Sequence, residues 1–272
     1  MRETSLRAAS GRLAPSLSSG ASVPSFTRTA RGPSILSSAA HKAIRQRMLL
    51  LRHAAEERIV ALTGASSSEV RGFLRDLAGS ELPDQLIGRG AGLPFAQELP
   101  QGALLYLVVR AQRPDHVVET GVRPGYSTAW LLAGLDANRH GELTSIGPGP
   151  TAGRSAAVRD VSVGQFVPPA LRTRWTLVLG NTEETVTRTL GGRTDVDLFL
   201  YDNGPELQRA RFELRSAWGA LSRRGILLAH HIDANTAWSE FVRGQGVAGG
   251  STLDPGPPPM GALPVRALSG RA

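Results

Sequence analysis

Between His116 and Arg243 the chain alternates short apolar runs with longer stretches of helical periodicity, and this alternation restricts the fold more than any other feature of its 272 residues. Strands are expected at His116–Glu119, Glu142–Ile146, Trp175–Leu179, Val196–Tyr201 and Ile226–Ala229. Helices are expected at Tyr126–Ala137, Glu183–Leu190, Glu206–Leu221 and Asn235–Arg243. A strand followed by a helix of this length cannot turn back on itself as a hairpin, so right-handed crossovers and a mainly parallel sheet follow. The fold class is therefore α/β, a Rossmann-like sheet with helices on both faces. Ligands of such sheets bind beyond the C-terminal ends of the strands.

The flanks read differently. Residues 1–34 are rich in Ser, Ala, Arg, Pro and Gly and poor in large apolar side chains, so they cannot bury enough surface to offset chain entropy and are expected to be disordered. An Arg- and Ser-rich, acid-poor start also fits an organellar transit peptide, although the prolines work against an amphipathic helix, and the apolar centre of a secretory signal is missing. From Ile35 to about Leu62, the residues Ile44, Met48, Leu51, Ile59 and Leu62 recur at helical spacing, with Gly64 as a stop. That stripe serves packing against the chain's own domain or, alternatively, a coiled-coil partner. Ser67 or Ser68 is placed to cap a second helix to about Leu77, and Gly79, Pro83, Gly88, Gly90 and Gly92 then mark a loop. The organisation expected is a tail over 1–34, a helical extension over 35–92 and an α/β domain over 93–272.

Charge and composition exclude several functions. Nine basic side chains against the single acid Glu3 within residues 1–55 account for the whole formal charge of +8, and the remaining basic and acidic residues cancel. A neutral main domain does not track a phosphate backbone, so no nucleic-acid partner is expected. No apolar run approaches the ~20 residues of a membrane span, so no membrane partner is expected and a cytoplasmic location is. With no cysteine there is no disulfide framework, thiolate metal site or cysteine nucleophile.

The segment Val117-Val118-Glu119-Thr120-Gly121-Val122-Arg123-Pro124-Gly125-Tyr126-Ser127 carries the chemistry. An apolar strand ends in a carboxylate, and a turn with two glycines four apart then enters a helix. Gly121 lets backbone approach a ligand, and Gly125 permits the turn that aims helix amides at it. This segment resembles the first motif of class I S-adenosylmethionine-dependent methyltransferases, in particular a bacterial small-molecule branch whose loop reads E-T-G-V-x-x-G-x-S. The similarity continues through Val163 to Pro168, Leu171 to Leu177, Gly180-Asn181-Thr182, Asp197 to Asp202, Phe212 to Trp218, Gly225 to Ala229 and Asn235 to Trp238 with Phe241. The resemblance implies S-adenosylmethionine as cofactor and a small-molecule acceptor. It implies that Glu119 and Gly121 approach the cofactor's amino-acid and ribose portions, that Thr120, Gly125 and Ser127 also bind the cofactor, that Asn181 faces the adenine, and that Asp202 is a cofactor-side, metal-ligating or base-positioning carboxylate.

Three departures stand out. Where the family has a ribose-binding acid after the second strand, this chain has Ser145-Ile146-Gly147-Pro148-Gly149, so Ser145 or the backbone of the Gly147–Gly149 turn is the expected partial substitute, with Glu119 sharing the ribose. Asn203 stands where a histidine is common. His230-His231 replaces paired aspartates after the fifth strand. Imidazole binds divalent metals, so Asp202, His231 and Asp233 are candidates for a divalent metal site, although adjacent strand residues point to opposite faces and His230 and His231 are not expected to ligate together. Without metal, His230 or His231 serves as a catalytic base, since a neutral imidazole can accept a hydroxyl proton. Downstream, Pro255 onward breaks any long strand, with at best Leu263–Leu268 as a last strand, leaving the sheet edge frayed or completed by a second subunit in a homodimer.

The expected function is methyl transfer to an oxygen of a small acceptor. A catalytically degenerate methyltransferase fold that binds a partner is the alternative, and a dehydrogenase is disfavoured because the loop lacks G-x-G-x-x-G spacing. Because residues 1–34 lack apolar content, a chain starting at Ser34 is expected to keep the thermal midpoint of the full chain; a drop of many degrees would show that the tail packs.

Overall fold

The computed structural model describes residues 52–89, 93–148, 163–180, 182–246, 252–254 and 258–265. The expected tail, the first half of the helix from Ile35, Gly149 and Asn181 lie outside the described residues.

Four helices lead into the sheet: α1 (Arg52–Thr63), α2 (Ser67–Gly79), α3 (Leu82–Arg89) and α4 (Leu93–Gln112). α1 stops at Gly64, whose N–H donates to Val60 O at 2.8 Å. The cap of α2 is Ser66, one residue before the expected position. Its hydroxyl accepts from Glu69 N–H while the Glu69 carboxylate accepts from Ser66 N–H at 2.9 Å, a reciprocal box that neither Ser67 nor Ser68 can close. The stretch expected as a loop contains α3. Its proline is the second residue, where a missing N–H costs nothing, so Pro83 starts a helix rather than ending one. α4 escapes a periodicity reading because Ala103 through Val109 are all buried, and a helix that is apolar on every side has no stripe to detect.

Then follow β1 (His116–Thr120), α5 (Tyr126–Asn138), β2 (Glu142–Pro148), a 3-10 turn (Pro169–Arg174), β3 (Trp175–Gly180), α6 (Thr182–Leu190), β4 (Val196–Tyr201), α7 (Leu207–Ala220), β5 (Leu221–Ala229), α8 (Ala237–Gly244), β6 (Thr252–Asp254) and β7 (Met260–Pro264). The sheet order is β3-β2-β1-β4-β5-β7-β6, with β1 to β5 parallel and β7 antiparallel to both β5 and β6. The expected open edge is thus corrected: a hairpin closes the sheet, and no second subunit is needed to supply its last strands. The prolines precede β7 instead of interrupting it, and Met260, Ala262 and Leu263 bury their side chains from a strand that begins three residues earlier than Leu263.

Alternation along β4 feeds two cores. Leu198 and Leu200 join Trp130, Leu105 and Ile226 on one face, and Phe199 and Tyr201 join Leu214, Leu227 and Trp238 on the other. Each such side chain contributes about 1.5–3 kcal/mol when fully withdrawn from water. The order reverses between β1 and β4, since the chain runs outward through β2 and β3 before returning, so the crevice beyond these two strands is where a ligand site is expected. Among the described residues no helix is long and apolar enough to cross a membrane.

Removing the α2 cap with Ser66→Ala is expected to cost about 1 kcal/mol, lowering the thermal midpoint by about 2–4 °C in a chain of this size. Differential scanning calorimetry at fixed pH reads this directly.

Candidate active site at the switch point

At the end of β1, Glu119 is fully buried. Its carboxylate accepts from Ser127 Oγ at 2.5 Å, Thr128 Oγ1 at 2.7 Å and Ser145 Oγ at 2.7 Å. Ser145 in turn accepts from Trp175 Nε1 at 2.9 Å. One side chain therefore ties β1 to the start of α5, to β2 and, through Ser145, to β3. Burial drives the Glu119 carboxyl above its ordinary pKa, the three hydroxyls act against this, and the Asp202 charge adds to the rise. Glu119 and Ser145, both expected to touch a cofactor, spend their polar atoms on each other.

The glycines have internal reasons. Gly121 has φ 89°, and a Cβ there would lie 2.1 Å from Asp202 O, so the close neighbour is the end of β4. This follows from the parallel register, in which Asp202 N–H donates to Thr120 O at 3.0 Å. Gly125 has φ 91° and precedes α5 as its cap without any side-chain acceptor; a Cβ would come within 2.9 Å of Gly164 Cα. At Gly147 a Cβ would meet Val122 Cγ1 at 2.7 Å and Leu179 Cδ2 at 3.1 Å. The place of the missing acid is filled by apolar packing, so an aspartate introduced there has no room without displacing Val122.

Asp202 follows β4 directly, and the helix beyond it is capped by Glu206, which accepts from Gln208 N–H and Arg209 N–H, both at 2.9 Å. Asp202 is thus not a cap. Its Oδ1 lies 3.0 Å from Nδ1 of His230, the residue after β5. Burial opposes the Asp202 charge, but His230, with His231 and the Ser127 hydroxyl, outweighs it and holds the carboxyl below its ordinary pKa. His231 leaves the strand with φ 53°, and its side chain is exposed. Partial desolvation lowers its pKa; Asp202 acts against this, His230 and Arg123 act with it, and Asp233 acts against it. Among the described residues no group of three or more Asp, Glu or His side chains is arranged to hold a metal ion, so Asp202, His231 and Asp233 do not converge as a site.

Asp202, His230, His231, Ser127 and Gly125 line one cavity of about 210 Å³ together with Arg123, Tyr126, Leu105, Gln101 and Pro258. Thr120 and Gly121 are not among the residues that line it. The last two lining residues were not foreseen: Gln101 sits on the undetected α4, and its Nε2 donates to Pro258 O. Glu213 was also missed. Fully buried on α7, it accepts from Asn203 Nδ2 at 2.8 Å and so fixes the turn that presents Asp202. A carboxylate in the apolar stripe of a helix was the available signal. Burial pushes Glu213 up to about 6, with the Thr120 hydroxyl and Asn203 amide acting against it.

Residues 118–232, which include Glu119, Arg123, Ser127, Asp202, Glu213, His230 and His231, match the family model described as a methyltransferase domain. The chain carries a methyltransferase domain. No curated relative matches it in sequence. Similar solved structures include a Podospora anserina methyltransferase bound to SAH, 17% identical, TM-score 0.48, covering 67% of this chain and 86% of that one. The O-methyltransferase TomG of Streptomyces achromogenes, involved in tomaymycin synthesis and solved with SAM, is 17% identical with a TM-score of 0.46, covering 68% and 90%. A Bacillus cereus O-methyltransferase solved with SAH is 15% identical with a TM-score of 0.46, covering 78% and 97%. The assignment of the methyltransferase domain rests on the family model.

A carboxyl whose pKa is raised on folding binds more protons in the native state, so its contribution to stability declines as pH rises between its unfolded and folded values. For Glu213 that window runs from about 4.5 to about 6, and the penalty above it is on the order of 2 kcal/mol. Glu213→Gln is therefore expected to become more stable relative to wild type as pH rises through this window, as read from urea midpoints; parallel curves would show that Glu213 does not titrate there.

Proposed function

We infer that the methyltransferase domain moves a methyl group from S-adenosylmethionine to an oxygen of a small acceptor. When bound, the cofactor supplies a methyl group on a positively charged sulfur, which is electrophilic without further activation. The observation that carries the reading is the Asp202–His230 pair, 3.0 Å apart on neighbouring strand ends and lining the switch-point cavity. The Asp202 carboxylate fits a cationic ligand, since His230 holds it below its ordinary pKa against burial and it lines the cavity. A volume of about 210 Å³ is below the ~300–1,000 Å³ of drug-sized ligand sites, so this cavity matches the reacting ends of cofactor and acceptor, with the nucleoside outside it.

In this reading His230 accepts the acceptor's hydroxyl proton. Asp202 keeps the imidazole oriented through Nδ1 and offsets the charge it gains. His231, exposed and beyond the strand, stands at the rim. The Gly-rich loop and Gln101 hold the acceptor in line and keep water out, and much of the rate enhancement comes from that alignment. With Gly147 packed on Val122, position 147 offers the ribose no acid, and Asn181 remains the adenine-side candidate by resemblance.

His230→Ala is expected to lower kcat about 10²- to 10⁴-fold while the affinity for S-adenosylmethionine, titrated by calorimetry, stays within about threefold of wild type. Failure of the wild-type chain to bind the cofactor at millimolar concentration would remove the methyl-transfer reading altogether.

A further inference from the structure

The cavity at the switch point is lined by five ionisable side chains: Arg123, Tyr126, Asp202, His230 and His231. Two of them answer each other, since Asp202 lies 3.0 Å from His230. Arg123 has no such counterpart. It pairs with no carboxylate among the described residues. Its backbone is fixed at the rim, because Gly164 N–H donates to Arg123 O at 2.9 Å and Phe166 N–H donates to Pro124 O at 2.8 Å. The root of the side chain is therefore held in place, while the exposed guanidinium remains able to meet a ligand.

On the methyl-transfer reading above, we propose that Arg123 selects acceptors bearing a carboxylate, which it holds at the cavity rim while the acceptor hydroxyl reaches His230. The planar fork of a guanidinium matches a carboxylate through two parallel hydrogen bonds, which gives direction as well as charge. Leu105 and Tyr126 offer apolar walls between rim and floor. The volume, about 210 Å³, equals the share of roughly seven water molecules, which divides between the reacting end of the cofactor and the reacting edge of an acceptor ring. A ring with a hydroxyl at one end and a carboxylate at the other suits walls that are cationic at the rim, apolar between, and basic at the floor. The same fork could also serve the carboxylate of the cofactor's own methionine portion, and the test separates the two sources.

The full chain is titrated calorimetrically with 3,4-dihydroxybenzoate and with 3,4-dihydroxybenzyl alcohol, each alone and in the presence of S-adenosylhomocysteine. Wild type and Arg123→Gln are compared. Wild type is expected to bind the acid at least tenfold more tightly than the alcohol, and Arg123→Gln to erase that preference while keeping the alcohol affinity and the thermal midpoint. Equal binding of acid and alcohol by wild type, binding of neither, or a preference that survives in Arg123→Gln would each overturn the proposal. A second arm compares S-adenosylmethionine with its decarboxylated analogue. If Arg123→Gln weakens only the former, the carboxylate held is the cofactor's and the acceptor assignment falls. Lack of cofactor binding with the acid preference intact would instead sink the methyl-transfer reading and leave Arg123 as an anion site.

Discussion

Everything at the switch point hangs on one buried carboxylate. Glu119 receives three hydroxyl hydrogen bonds, from Ser127 and Thr128 at the start of α5 and from Ser145 on β2. An uncompensated carboxylate in this position would be several kcal/mol too costly to keep ionised. The hydroxyls are what make its burial tolerable, and in satisfying it they fix the angle at which α5 leaves the loop. Gly121 and Gly125 then have little freedom: one is pressed on the backbone of Asp202, the other on Gly164. The loop's shape is thus set from inside the domain, before any ligand is considered.

The strands and helices from His116 to Arg243 were legible because a period of two and a period of 3.6 differ strongly in segments this short, and β4 or α5 offered no competing reading. α4 was illegible for the opposite reason: Ala103 to Val109 are uniformly buried and carry no period. α3 was masked by glycines and Pro83, which mean a turn in an exposed context and a helix start in this one. The closing hairpin was lost because a proline run reads as a breaker, while the strand begins just beyond it.

The site was legible in its composition and less so in its division of labour. Glu119, Ser127, Asp202 and His230 all gather where the Gly-rich loop pointed. Proximity in sequence to a loop does not say which way a side chain faces, however, and Glu119 and Ser145 face each other. The separation of His230 from His231 follows from strand geometry, but the positive φ of His231, which turns it outward, does not. The link between Glu213 and Asn203 was not legible because it runs between a helix and a turn ten residues apart, joined only once α7 docks on the sheet.

The hydrogen bond from Gln101 to the Pro258 carbonyl joins residues 157 apart, both outside the segment that matches the methyltransferase family model. One wall of the cavity is therefore built from the two flanks, while its floor is built from the shared middle. Such a wall can form only after the chain has closed a loop of 157 residues, so it carries the entropy cost of a long-range closure. Substitutions in the flanks can therefore reshape this wall without touching the buried carboxylate, which lies on the segment that matches the family model.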